Sequence, residues 1–143
     1  MKKVLFFYLL LPVLILSCDG IDQYKSYKLD GMWQLKTVQD IDGNKIHVDT
    51  VYYSFQRETI FSFTVLNNSK SASVIYGYVD MPSDDKVHVL IDDKSSGDDN
   101  FKRFLSLSGW SAADVVFNIK KYNKSNLVLF DSGNGKTYTL KKF

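Results

Sequence analysis

The chain has 143 residues, 45% hydrophobic and 15% aromatic, with 18 basic side chains, 16 acidic ones and a single cysteine. That length suits one domain with a sizeable apolar core, and one cysteine excludes a disulfide framework. The +2 excess comes from Lys2 and Lys3 alone. Beyond them 16 basic side chains face 16 acidic ones with no dense Lys/Arg patch in the sequence, which argues against nucleic acid as a partner.

Lys2 and Lys3 precede an apolar run, Val4 to Leu16, too short for a membrane span and right for a signal-peptide core. The run stops at Ile15-Leu16-Ser17-Cys18, which resembles a bacterial lipobox. The resemblance implies cleavage before Cys18, lipidation of Cys18 and a membrane partner reached through that lipid. It places the chain in a bacterial cell envelope, with the outer membrane expected and its face left open. Residues 1–17 are then a lipoprotein signal peptide, 18–28 a lipidated tether and 29–143 the folded domain. Asp19 to Lys28 is polar without periodicity, and ten extended residues reach about 33 Å.

Leu29-Asp30-Gly31-Met32-Trp33 opens the domain. From Met32 to about Asp40, Trp33, Leu35 and Thr37 alternate with Gln34 and Lys36, the period of a half-buried strand. Gly31 lets the chain enter at a tight angle, and Trp33 is large enough to plug the end of a small barrel. Asp42-Gly43-Asn44 is a turn signal. Asp40, Asp42 and Asn44 faintly resemble half a calcium loop, but Val51 stands where a bidentate Glu is needed, so no metal is expected.

Strand two, Thr50 to Gln56, sets Val51, Tyr53 and Phe55 on one face. Arg57-Glu58 reverses the chain into Thr59 to Leu66, where Phe61, Phe63 and Val65 share a face. After the polar loop Asn67 to Ser71, strand four (Ser73 to Asp80) puts Val74, Tyr76 and Tyr78 together, with Gly77 opposite. Met81 to Asp85 turns the chain, and Lys86 to Asp92 alternates Val87, Val89 and Ile91 with His88 and Leu90. Asp93 to Ala113 breaks the rhythm. Asp98 or Asp99 is placed to cap a short helix carrying Phe101, Phe104 and Leu105 and ended by Gly109, or else Phe104 to Ser108 is a brief strand. The helix or turn reading would close one barrel end. Strands six, seven and eight follow at Asp114 to Tyr122, Asn126 to Asp131 and Lys136 to Lys142, the last two joined by Ser132-Gly133-Asn134-Gly135.

Eight strands with short connections predict an all-β fold, an eight-stranded antiparallel up-and-down β-barrel with a short helix or irregular segment between strands five and six. A β-sandwich is the alternative. Gly31-x-Trp33 on the first strand, with the closing runs Phe117 to Tyr122, Leu127 to Leu129 and Lys136 to Phe143, resembles the lipocalin-like group of the calycin barrels. More closely, residues 30–143 resemble the small lipocalin-like lipoproteins of Bacteroidota. No Thr-Asp-Tyr-type second motif is present. The resemblance suggests Lys141 or Lys142 as a basic cover for Trp33, and Gly31 and Trp33 as a barrel-end motif.

An enzyme is not expected. His47 and His88 have no companion motif, no Gly-x-Ser-x-Gly elbow or phosphate loop occurs, and the pairs Asp84-Asp85, Asp92-Asp93 and Asp98-Asp99 read as solvated turns. No cofactor and no metal site are expected. Tyr53, Phe55, Phe61, Phe63, Tyr76, Tyr78 and Phe117 are the inward aromatics, which either fill the barrel or line a site for a small apolar, amphipathic or sugar-like ligand. Alternatively the barrel is packed and acts as an interaction or inhibitor module. It would then present Phe101, Phe104 and Trp110 to an envelope protein partner.

Overall fold

Alternating apolar residues on successive short strands leave a sheet with one greasy face, and here the sheet buries that face by closing on itself. The computed structural model describes residues 28–56, 60–66, 71–92 and 98–143. Among these the strands are β1 (Gly31–Gln39), β2 (Lys45–His47), β3 (Val51–Gln56), β4 (Ile60–Leu66) and β5 (Ala72–Ser83). They continue with β6 (Lys86–Ile91), β7 (Asp114–Tyr122), β8 (Asn126–Asp131) and β9 (Lys136–Lys142), and helix α1 (Asp98–Ser108) lies between β6 and β7. Cys18, the leader, most of the tether, the Arg57-Glu58 reversal and most of the Asn67 to Ser71 loop lie outside the described residues.

Antiparallel neighbours run β1-β3-β4-β5-β6-β7-β8-β9, and β9 pairs back with β1 from Trp33↔Lys142 to Gln39↔Thr137. The result is a closed eight-stranded barrel. The short β2 is an addition to it. β3 occupies the lower edge of β1, from Gly31↔Phe55 to Gln34↔Tyr52, and β2 takes over the same edge from Thr37 to Gln39. All three residues of β2 are exposed, so no apolar alternation marked it in the sequence.

Three expectations are corrected. Inward alternation on β1 does not pass through Thr37: the pairing with β9 slips between Leu35 and Thr37, and Val38 is buried instead. Such a bulge adds a residue and flips the facing beyond it. On β5 the inward set is Ile75, Gly77 and Val79, and Tyr76 and Tyr78 are 58% and 65% exposed. The cause lies across the sheet. Gly77 pairs with Phe61, and a Cβ on it would lie 2.4 Å from the Leu90 carbonyl oxygen and 3.0 Å from Ile91 Cα. Only a residue without a side chain fits where β5 crosses so close to β6, so the tyrosines take the outer face. Finally, Met81 to Ser83 continues β5 rather than turning. Its pairing with β6 is irregular between Asp80 and Ser83, where Pro82 has no N–H to give.

The base of the barrel is sealed by the residues that open the domain. Leu29 and Trp33 are buried, and Trp33 Nε1 donates to the Leu29 carbonyl at 2.8 Å. Lys142 covers the indole with its Nζ 4.4 Å from the ring centroid and donates to the Asp30 carbonyl. Burial lowers the pKa of this lysine, against the opposing pull of Asp30. Gly31 sits at φ +113°, and a Cβ there would meet Lys142 Nζ at 2.5 Å. Two separate demands, a left-handed backbone and room for the lysine, therefore meet at one glycine. Gly31→Ala is expected to lower unfolding free energy by about 2 kcal/mol. A urea midpoint unchanged from wild type would contradict that.

Candidate functional site

The opposite end, the mouth, is where the regular meander is interrupted. Phe101, Phe104, Leu105 and Ser108 recur at i, i+3, i+4 and i+7, one face of a helix, while Lys102, Arg103 and Ser106 face outward. Gly109, at φ +73°, ends α1 in the left-handed conformation usual after a helix. The next residue, Trp110, then drops into the barrel. Phe104 and Trp110 are buried and Phe101 is half-buried, so the three residues expected to meet a partner instead plug the mouth. Their apolar area is larger than a polar loop can leave in water, and the open barrel end is the nearest place to bury it.

Trp110 is the hub of an aromatic cluster. Its ring centroid lies 5.2 Å from Phe117, 5.6 Å from Tyr53, 5.8 Å from Phe61 and 6.0 Å from Phe63. Phe104 packs edge-on to Phe63 at 5.3 Å. The indole Nε1 donates to the Tyr53 hydroxyl at 2.7 Å, so the most buried polar pair of the interior satisfies itself. Of the sequence-derived lining set, Tyr53, Phe55, Phe61, Phe63 and Phe117 are thus brought together, and Tyr76 and Tyr78 are not.

The C-terminal end of α1 is latched to the barrel. The Gly109 carbonyl accepts from Lys136 Nζ at 3.0 Å, the Tyr138 hydroxyl at 3.1 Å and Asn134 Nδ2 at 3.4 Å. A cation at this end also suits the helix dipole. Towards its N-terminus α1 meets the barrel through the apolar side chains of Phe101, Phe104 and Leu105. Between those side chains and the rim residues Phe63, Ile75 and Ile91 lies an apolar cleft of about 10 Å³, also touched by Ser108 and Trp110. It has room for about one water. Sequence reasoning missed Ile75 and Ile91 as lining and the Gly109 latch entirely. No local pattern announces a latch made of one backbone oxygen and a distant turn.

Electrostatically the interior is inert. Asp131 is its one buried carboxylate among the described residues, and its Oδ1 accepts from the Gly133 amide at 2.7 Å within the β8–β9 turn. Burial drives the Tyr53 phenol well above its usual pKa and pushes Tyr138 up to about 12. Both therefore stabilise the fold fully below pH 10, and that stability is lost as the pH climbs towards 12. Tyr138 contributes up to about 1.4 kcal/mol per pH unit in that window, and Tyr53 acts in the same direction. The tyrosinate absorbance that Tyr53→Phe and Tyr138→Phe remove should appear only with alkaline unfolding, and the same absorbance appearing in a still-folded barrel would contradict this burial.

The other titratable cluster is on the outside. His88 bridges Asp80 and Asp114 at 2.7 Å through its two ring nitrogens, which raises its pKa, chiefly through Asp114. It ties β5, β6 and β7 together at the surface, where such pairs contribute a few tenths of a kcal/mol.

A lipocalin-like domain model matches residues 13–143. The chain belongs to the lipocalin-like domain family. Among solved structures, this lipocalin-like chain is similar to a lipocalin-like protein from Bacteroides uniformis. The two are 26% identical with a TM-score of 0.70, over 82% of this chain and 100% of the other. It also matches an uncharacterized protein from Bacteroides eggerthii at 22% identity and TM-score 0.68, over 80% and 99% of the two chains. That second likeness shows the fold alone. None of the curated proteins compared with the chain matches it. The lipocalin-like fold is generally a non-enzymatic binding fold, in keeping with an interior lined by carbon.

Proposed function

We propose that this chain is a lipid-anchored, non-enzymatic binding protein of a bacterial cell envelope that takes a small apolar or amphipathic molecule beneath α1. The observation that carries the reading is the apolar cleft between α1 and the rim, with the C-terminal end of the helix latched to the barrel at Gly109. In the closed form the barrel is full. A ligand therefore enters by swinging the N-terminal half of α1 outward about Gly109, replacing Phe101, Phe104 and Leu105 against Phe63, Ile75 and Ile91. Exposing Phe104 costs about 1.5–3 kcal/mol, which an apolar tail filling the same place offsets. Trp110 stays behind as the floor and reports the event.

Dodecanoate is a suitable probe. Titrated into the chain from Asp19 onward, it is expected to shift tryptophan emission saturably in the micromolar range and to raise the melting temperature. A non-saturable response, or none, would overturn the reading. The ring contacts of Trp110 make its emission sensitive to any repacking of this floor.

A second reading rests on a different feature. Ile60, Tyr78 and Leu90 form one outward row across β4, β5 and β6, with Tyr76, Val74 and Val116 beside it, all at least 41% exposed. This patch suits a packed barrel that meets a protein partner in the envelope through its wall instead of its mouth. Crosslinking in the native host separates the two: adducts to one protein that vanish in Tyr76→Ser/Tyr78→Ser favour the wall.

A further inference from the structure

The sequence as a whole is neutral beyond its first residues, yet the fold sorts its charges. Residues 114–143, which make β7, β8 and β9, carry six lysines and two acids, Asp114 and Asp131, both at the mouth end of their strands. Asp131 lies at the mouth, buried in its turn. Register puts most of the lysines at the other end. Lys120 and Lys121 are in the last residues of β7, Lys124 is in the turn to β8, and Lys141, paired with Asn126, is in the last residues of β9. All four are exposed, and none makes an ion pair among the described residues. Lys28 and Lys86 stand at the same base beside the β5–β6 turn. There the Asp84 carbonyl accepts from Lys28 Nζ at 2.8 Å and the Asp85 carbonyl accepts from the Ile119 amide of β7 at 2.7 Å. The lysines therefore outnumber the two acids Asp84 and Asp85 at this rim.

Two aromatic side chains accompany these lysines. Tyr122 is 39% exposed beside the base and Phe143 is 75% exposed, leaning on Tyr52 with ring centroids 5.1 Å apart. Lysines with flexible apolar stems and exposed rings at one end of a domain are the residues that settle at a lipid headgroup layer. The chain also enters the described fold at this end, at Lys28.

We propose that the base of the barrel between β7 and β9 is a docking face for an anionic phospholipid surface. Lys121, Lys124 and Lys141 meet the phosphates, Tyr122 and Phe143 rest in the headgroup zone, and Lys120 lies higher on the wall with its Nζ 5.1 Å from the Phe130 ring centroid. Docked this way, the barrel lies base-down on its membrane and α1 points away from it, open to whatever the mouth accepts. The proposal rests on the envelope address proposed above, but its test does not. Every buried core residue lies between Leu29 and Leu140, so the chain from Asp19 onward contains the whole barrel and carries no lipid.

The experiment is cosedimentation of that chain with vesicles of phosphatidylcholine alone or with about one-third phosphatidylglycerol, at low salt and at about 0.5 M salt. Binding to the anionic vesicles alone, lost in high salt, is expected. A lysine brought to such a surface strengthens partition about fivefold. Lys121→Glu/Lys141→Glu should therefore weaken it at least about twentyfold, while Lys45→Glu/Lys102→Glu, the same charge change at the mouth end, should retain most of it. Equal binding to both vesicle types, no binding at low salt, or equal losses in the two variants would each overturn the proposal. Matching melting temperatures establish that both variants fold. Lipidation fails separately, as a native mass without diacylglycerol on Cys18.

Discussion

Trp110→Ala is expected to cost the fold about 3–5 kcal/mol, as much as a buried aromatic in the middle of a core. The loss has two sources. The indole touches Tyr53, Phe61, Phe63 and Phe117, and its removal leaves a hole that four rigid rings cannot close by small shifts. It also strips the Tyr53 hydroxyl of its 2.7 Å donor in a fully buried place. For a domain of this size the melting temperature falls by roughly 10 °C or more. The helix should suffer beyond the average, since Trp110 anchors its C-terminal end beneath the Gly109 latch. Amide exchange over residues 101–108 should then rise more than exchange in β8 and β9. Trp110→Phe keeps most of the ring contact and should recover more than half of the loss. A Trp110→Ala variant that melts with wild type would show that the mouth is not packed as described.

The second large effect comes from a residue with no side chain at all. Gly77→Val is expected to destabilise by about 3 kcal/mol or more, because its Cβ would lie 2.4 Å from the Leu90 carbonyl oxygen. The obstacle is backbone, not the tip of a flexible side chain, so β5 must pull away from β6 to admit it. Ladder hydrogen bonds near Tyr78↔Leu90 and Gly77↔Ile91 would weaken with it. Gly77→Ala meets the same atom and should fall between the two. Denaturant midpoints measure both. A stable Gly77→Val would mean that the two strands are not as close here as the register requires.

Gly77 also shows where the sequence is legible and where it is not. Strands β7, β8 and β9 begin and end where alternation and turn residues predict, because clear Asn or Gly turns separate them. On β5 both sets look apolar: Val74, Tyr76 and Tyr78 compete with Ile75 and Val79. Periodicity chooses a face by bulk, whereas the fold chose by clearance, and a one-residue choice reverses every side chain. The bulge after Leu35 is invisible for a similar reason, since Thr37 and Val38 are near-equal in size and only the pairing with β9 separates them.

The same limit applies to function. The helical spacing of Phe101, Phe104 and Leu105 and the stop at Gly109 are readable, and α1 lies where they place it. Its orientation is not, because apolar residues in a polar stretch look alike whether they cover a barrel or await a partner. The inward aromatics of β3, β4 and β7 were readable too, but whether they enclose a void depends on Trp110, which arrives from outside the sheet. The asymmetry of charge was hidden as well. Most of the six lysines spread over residues 115–143 come together only when β7 and β9 end at the same rim.

The most direct test of the binding role is native mass spectrometry of the protein purified gently from its own host. The account predicts a complex heavier than the polypeptide and its lipid, whose extra small-molecule mass leaves on denaturation. It also predicts that this mass is lost from Phe63→Ser, which spoils the rim without touching the Gly109 latch. A bare protein from the host that also fails to take up dodecanoate would contradict it, and would leave the barrel as a solid body that works through its wall.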